Sequence, residues 1–306
     1  MTERTLTDVP GVKVGHWTDP AALTGVTVID LPEPNVAAVD VRGGAPGSRE
    51  TALLAPGKKV EMVQALVFAG GSAFGLAAAD GVVRAIAADD RGHPTRAGKV
   101  PIVPAAILFD LMVGDGAVRP GPEDGAAAYA TANADPVAMG SVGAGTGAVV
   151  AGWRGRDAMR KGGVGSDAIT VGDATLGALV VANAVGDVFT VDGVPLTGGG
   201  PVPPMFPAPA EPLEATVLCA VVTDAALSRN ELLHLGVRAH DAVGACIRPA
   251  HTRYDGDVAF LVSCGPVLGD VDALGEAAFA TVAAAIERAV RHATSAGGIA
   301  AVESGP

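Results

Sequence analysis

Thr216 heads the apolar run TVLCAVVT, directly after a segment dense in proline and glycine. By type it is a β-branched residue opening a strand. Chemistry offers it a second role. A hydroxyl is a weak nucleophile at neutral pH without an adjacent base, whereas an N-terminal residue carries its own base in a free α-amine, whose pKa of about 8 suits proton transfer. Liberating that amine requires the bond between Ala215 and Thr216 to be cut. Downstream, RPAHTRYDGDVAF sets Asp255 and Asp257 two residues apart around Gly256. An extended backbone turns both carboxylates to one side, and two like charges that close push one pKa upward, a device for handling protons. The same string also reads as a polar turn with solvated aspartates, or as a cation site. His251 is a base by type and, beside Pro249, a hydrogen-bonding loop residue by context.

Two further polar residues stand out by their surroundings. Lys161, in RKGGVGS, is either a surface charge or a cation held at a site by Gly162 and Gly163. Asn183, inside the apolar LVVANAVGD, has an amide that must find partners if the strand is buried. It serves structure or an oxyanion equally well. The glycine-rich GSVGAGTGAVV of residues 140–150 lacks the spacing of a phosphate-binding loop, and no helical pattern follows it. Its glycines fit close backbone approach to a substrate or another strand.

The elements that must position these groups are legible in outline. Strand-like runs at 25–31, 36–41, 65–69, 101–109, 148–153 and 175–185 are mostly bounded by Gly, Pro or Asp. Helical patterns occupy 71–88 and 124–134. The last third predicts a buried strand over 216–223, a helix from the Ser228/Glu231 capping box to about Cys246, and a strand over 258–263. A long helix from Asp272 follows, with Leu274, Ala278, Val282, Ile286 and Ala289 on one face. The segment 192–214, DGVPLTGGGPVPPMFPAPAEPLE, cannot sustain regular structure and reads as a linker or a surface loop.

Across 306 residues, 49% are hydrophobic and only 4% aromatic, which predicts small-residue helices packed closely on β-branched strands in one compact domain of α/β or α+β class. A net charge of −12 opposes nucleic acid and anionic membranes as partners. The three cysteines, Cys219, Cys246 and Cys264, lie in apolar stretches without metal-ligand spacing and read as buried hydrophobes. No signal-type or membrane-spanning run is present, so a cytoplasmic protein is expected.

Taken together, DVRGGAPGSRET from Asp40, VFAGGSAFGLAAADGV from Val67, VPIVPAAILFDL from Val100, GSVGAGTGA from Gly140, KGGVGS from Lys161, VVANAVGDV from Val180, TDAALS from Thr223 and AHDAVGACIRPAHTRYDGDVAF from Ala239 resemble the DmpA-like aminopeptidase/esterase family. That family includes β-peptidyl aminopeptidases and nylon-oligomer hydrolases, and the match spans nearly the whole chain. The resemblance implies a layered αββα fold like that of N-terminal nucleophile hydrolases. It also implies self-scission into an α fragment, 1–215, and a β fragment, 216–306, that stay together. Thr216 falls at the nucleophile position and Asp255 and Asp257 at the paired acidic positions. Asn183 matches an oxyanion-stabilising asparagine, and Lys161 a lysine near the nucleophile. Two departures stand out. Ala215 replaces the Asn or Gly common before the cut bond, although Ala–Thr is the bond that ornithine acetyltransferases cut. The family's active-site tyrosine falls on Ala127, with Tyr129 two residues on, roughly 200° around a helix; Tyr129 is the candidate substrate-binding residue. The expected activity is hydrolysis of small peptides or nylon-type amide oligomers through an acyl-enzyme, without cofactor or metal, in a homo-oligomer. An uncleaved binding homologue and an acyltransferase are the alternatives.

Overall fold

The computed structural model describes residues 3–200 and 214–303. From the N-terminal side, β1 (Lys13–Asp19), β2 (Thr24–Asp30), β3 (Val36–Val41), β4 (Ser48–Arg49) and β5 (Ala65–Ala69) lead through a 3-10 turn into α1 (Ala78–Ala88). β6 (Ala105–Ile107) and α2 (Pro122–Ala130) follow, then the hairpin of β7 (Gly163–Val171) and β8 (Ala174–Asn183). β9 (Thr216–Ala225), α3 (Arg229–Cys246), β10 (Val258–Val267) and α4 (Val271–Arg291) complete the frame.

The strands form two five-stranded sheets, ordered β1-β2-β5-β6-β4 and β7-β8-β9-β10-β3. Alternation along each strand sends one set of side chains between the sheets and the other under helices. Between the sheets lie Leu66 and Phe68 of β5, Leu179 and Val181 of β8, Leu218, Ala220 and Val222 of β9, and Phe260 of β10. Under α3 and α4 lie Val180, Cys219 and Val221 with Leu235, Ala239, Val282 and Ile286. Val26, Val28, Ala65 and Val67 meet Ala78, Val82 and Ile86 of α1 on the far side. The layers are therefore α, β, β, α, each boundary sealed by apolar burial.

Several boundaries differ from the sequence reading for local reasons. The expected helix at 71–88 begins as a 3-10 turn, Ser72–Ala77, because Gly71 is left-handed at φ 81°. The helix expected at 124–134 is Pro122–Ala130, opened by proline in its first turn and by Asp124 accepting from the Gly121 amide. The strand expected over 101–109 contracts to Ala105–Ile107 after Pro101 and Pro104. The one expected over 148–153 contracts to Val149–Val150, ended by Ala151 at φ 66°. Of the expected linker, 192–200 is a turn-rich stretch and 201–213 lies outside the described residues. Cys219 and Cys246 are buried and Cys264 is half-buried, all three as free thiols. No described helix is long and apolar enough to cross a membrane.

Candidate active site

β9 runs parallel to β10 and antiparallel to β8, while β10 runs antiparallel to β3. The start of β9, the segment entering β10, the end of β8 and the end of β3 therefore converge at one end of the second sheet. That convergence brings Ala215 and Thr216, the 255–257 turn, and Asn183 together. Thr216 is directly opposite Asn183 in the ladder, so their side chains share a face, the one turned toward the first sheet. Both are buried.

Ala215 is held at its amide and, by two donors, at its carbonyl. The Ala215 amide donates to the Tyr254 carbonyl at 3.2 Å, and the Gly256 amide donates to the Ala215 carbonyl at 2.8 Å. The Thr216 hydroxyl also donates to that carbonyl, at 2.5 Å. Nucleophile type and target carbonyl are thus adjacent, and an N–H is aimed at the oxygen that would gain charge on attack. Gly256 is required here for space: a Cβ at this position would stand 2.8 Å from the Thr216 hydroxyl oxygen and 2.9 Å from the Ala45 carbonyl oxygen.

Asp255 and Asp257 flank this peptide and are each only 1% exposed. Asp255 accepts from the Thr252 amide at 2.8 Å and hydroxyl at 2.7 Å, and from the Val185 amide at 3.4 Å. Asp257 accepts from the Val217 amide at 2.7 Å, one residue beyond Thr216, and its other oxygen accepts from the His251 ring at 2.7 Å. Burial, and after it the charge of Asp257, raises the pKa of Asp255 well above the usual carboxylate range. The open reading of D-G-D as a solvated turn is thereby removed.

Asn183 spends its carbonyl oxygen on the Val149 amide at 2.9 Å and donates to the Phe109 carbonyl at 3.3 Å. Lys161 is not a surface charge: it is fully buried, and its ammonium donates to the carbonyls of Thr146 at 2.8 Å and Ala148 at 2.7 Å. Burial lowers its pKa to about 8, partly offset by Asp110. Lys161 thus braces the loop whose Val149 amide fixes Asn183, a role one step removed from Thr216.

Tyr129 is not brought to this site. α2 packs on the outer side of the first sheet, and the Tyr129 hydroxyl donates to Asp89 at 2.9 Å and accepts from Arg91 at 3.1 Å. Its candidate role is corrected accordingly: it belongs to an ion cluster that also includes Asp30. The wall beside Thr216 is made instead by Tyr254, with Ser72, Ile107, Phe109 and Arg253, around a cavity of about 260 Å³. A slightly larger cavity, about 320 Å³, opens beside His16 and residues 131–138 and contains none of the paired groups. No cluster of metal-binding type occurs among the described residues. Sequence reading missed the Gly256 amide, Tyr254 and the contact of His251 with Asp257; only the shared string HTRYDGD hinted at them.

Residues 4–303 match the profile of peptidase family S58, and the chain belongs to that family. It is a hydrolase of peptide or amide bonds. The chain is 43% identical over 292 residues to an uncharacterized aminopeptidase of Mycobacterium leprae, covering 86% of this chain and 79% of the relative. It is 31% identical over 271 residues to the 6-aminohexanoate-oligomer endohydrolase of Paenarthrobacter ureafaciens, covering 84% and 74%. Among solved structures, a Burkholderia sp. beta-aminopeptidase superposes with a TM-score of 0.77 at 22% identity, over 99% of this chain and 92% of that one. The L-aminopeptidase D-Ala-esterase/amidase of Ochrobactrum anthropi, described as a variant of the Ntn hydrolase fold, gives 0.76 at 23% identity, over 99% and 93%. The DmpA-like resemblance and the αββα fold expected from it are thus found.

Proposed function

We propose that the chain cuts itself between Ala215 and Thr216 and then uses Thr216 as an N-terminal nucleophile against small peptides or amide oligomers. The observation that carries this reading is the contact geometry at that one peptide group: hydroxyl and Gly256 amide both on the Ala215 carbonyl, with two buried aspartates alongside. In scission, the Thr216 hydroxyl oxygen attacks the Ala215 carbonyl carbon while its proton passes to the departing Thr216 nitrogen. The resulting ester is hydrolysed by water, giving the Ala215 carboxylate and a free Thr216 amine.

In the mature form the Thr216 amine takes the hydroxyl proton as the oxygen attacks the substrate carbonyl, the substrate C–N bond breaks and its amine leaves with that proton, and water then hydrolyses the ester on Thr216 to release the acid. Asn183 and the Gly256 amide hold the oxyanion. Asp255 and Asp257 orient the amine and handle its proton, and Lys161 keeps the Asn183 loop in place. No metal or organic cofactor enters this scheme. The cavity, walled by Ile107 and Phe109 and bordered by Ser72 and Arg253, suits a short acyl chain with a polar end.

Replacing the nucleophile tests the reading. Thr216→Ala is expected to leave the chain whole and to lower amide hydrolysis roughly a thousandfold, while Thr216→Ser keeps both reactions. A Thr216→Ala protein that turns over amides at the wild-type rate would overturn it.

A further inference from the structure

His251 has a place in this site that the proposed chemistry does not use. Its backbone is left-handed, at φ 55°, in a non-glycine residue, a conformation of a kind that persists only where surrounding structure enforces it. What enforces it is Asp257. One carboxylate oxygen of Asp257 accepts from both the His251 amide, at 3.1 Å, and the His251 Nδ1, at 2.7 Å. The other oxygen accepts from the Val217 amide at 2.7 Å. Asp257 is therefore clamped between the residue after the nucleophile and the imidazole, with no remaining freedom to rotate.

The far side of the ring is equally constrained. His251 Nε2 faces the His240 carbonyl at 3.5 Å, and the His240 ring meets it edge-on with centroids 4.9 Å apart. The His251 nitrogens thus face a carboxylate oxygen at 2.7 Å and a carbonyl oxygen at 3.5 Å, an arrangement that favours a proton on each and so the imidazolium form. His240 cannot supply that charge: its Nε2 donates to the Asp40 carbonyl at 3.1 Å, and its buried Nδ1 has no partner, as in a neutral ring. The charged and titratable groups facing His251 are Asp255 and Asp257 from its own loop and His240 from α3. Behind His240 lies Asp40 of β3, itself paired with Arg42. Burial pulls the pKa of His251 down, but the hydrogen bond and charge of Asp257 outweigh it and the net shift is upward.

We propose that His251 is a positioning residue for the reaction: as an imidazolium it fixes the Asp257 carboxylate against the Val217 amide and supplies the positive charge that lets the buried aspartate pair ionise beside Thr216. The inference rests on the proposed self-scission at Thr216. It makes two separable contributions, orientation through the N–H of Nδ1 and compensation through the ring's charge. An asparagine at 251 keeps a donor near the Nδ1 position but carries no charge, and a glycine keeps neither. Both tolerate the left-handed backbone, so neither change introduces the strain an alanine would.

The inference takes the aspartate pair to act in scission as well as in turnover, and scission is the reaction to follow because the uncut chain has no free Thr216 amine to titrate beside the pair. Full-length wild type, His251→Asn and His251→Gly are made by cell-free synthesis, moved to buffers from pH 5 to 9, and sampled for cut and uncut chain. Removing a cation raises the apparent pKa of a carboxylate pair, so the acidic limb of the scission profile should move to higher pH by about half a unit or more in both variants. His251→Gly should also cut about tenfold or more slowly on the plateau, whereas His251→Asn stays within about threefold of wild type. A merely structural residue would change melting temperature without moving the limb. Variants that cut at the wild-type rate with the wild-type limb overturn the inference, as does a His251→Asn chain whose limb is unmoved if the glycine variant fails to fold. A wild-type chain that stays whole at every pH removes the scission reading, and the inference with it.

Discussion

Gly256 sits between two buried aspartates with its amide on the Ala215 carbonyl, and the nearest obstacle to a side chain there is the Thr216 hydroxyl oxygen, 2.8 Å from where a Cβ would be. Gly256→Ala should therefore push that amide off the carbonyl and slow scission by roughly a hundredfold, as loss of one oxyanion donor does, measured as the half-time of chain cutting. The aspartates separate differently. Either Asp255→Asn or Asp257→Asn should cost about 3 kcal/mol in the transition state for amide hydrolysis, roughly a hundredfold in rate. An aspartate that only orients the amine spares scission, because the uncut chain has no amine; one that moves the attacking proton impairs both. Comparing cutting half-time with turnover in each variant assigns the roles. Asp255 also leaves a signature on stability. Burial and Asp257 raise its pKa in the folded state, so its favourable contribution is complete below the unfolded carboxylate value and is lost as pH rises through the folded one. Thermal melts should thus show Asp255→Asn gaining on wild type as pH rises from about 4 to 8. A constant difference across that range would contradict the raised pKa.

At the scale of elements, α3 is anchored at its first residue. Arg229 is buried and donates to the carbonyls of Ala37, Ala55, Lys58 and Val60, tying the helix to β3 and to the loop that leads into β5. Arg229→Met keeps the apolar stem but leaves those carbonyls without donors, so denaturant unfolding should show a loss of roughly 3 kcal/mol. Turnover by the fraction that stays folded should be unchanged. The helices α3 and α4 were legible because their caps and apolar stripes are local, and β9 because a buried central strand is a continuous apolar run. β7, GVGSDAITV, was not. Side chains at Gly163 and Gly165 would run into the backbone of α4 at Ala289 and Ala285, so the strand carries glycine where a periodic pattern would carry Val or Ile. The site divides along the same line. Thr216, Asn183, Asp255 and Asp257 were readable from spacing and family resemblance. The contact of the Gly256 amide with the Ala215 carbonyl depends on β9 lying parallel to β10, and that of the His251 ring with Asp257 on how the 251–257 loop turns back on itself, neither of which a local pattern announces. Tyr129 misled because proximity along the chain placed it beside the family's tyrosine position, while α2 turns it to an ion cluster on the outer layer.

For the molecule as a whole, a cut before Thr216 would divide the second sheet between fragments: β7, β8 and β3 on one, β9 and β10 on the other, interleaved as β7-β8-β9-β10-β3. The fragments would share both sheet hydrogen bonds and the core between the sheets. They should therefore co-elute in gel filtration at neutral pH and part only in denaturant; separation under native conditions would contradict the interlocked fold. We also propose that the αβ unit assembles further, and light scattering should then return a mass above that of the 30.1 kDa chain. A value near one chain would reject that assembly while leaving the site untouched. The scission itself is tested most directly by intact-mass analysis of the purified protein with N-terminal sequencing of the smaller species. The account predicts two fragments, 1–215 and 216–306, the second beginning Thr-Val-Leu-Cys. A single uncut chain of 30.1 kDa that hydrolyses amides at full rate would contradict it.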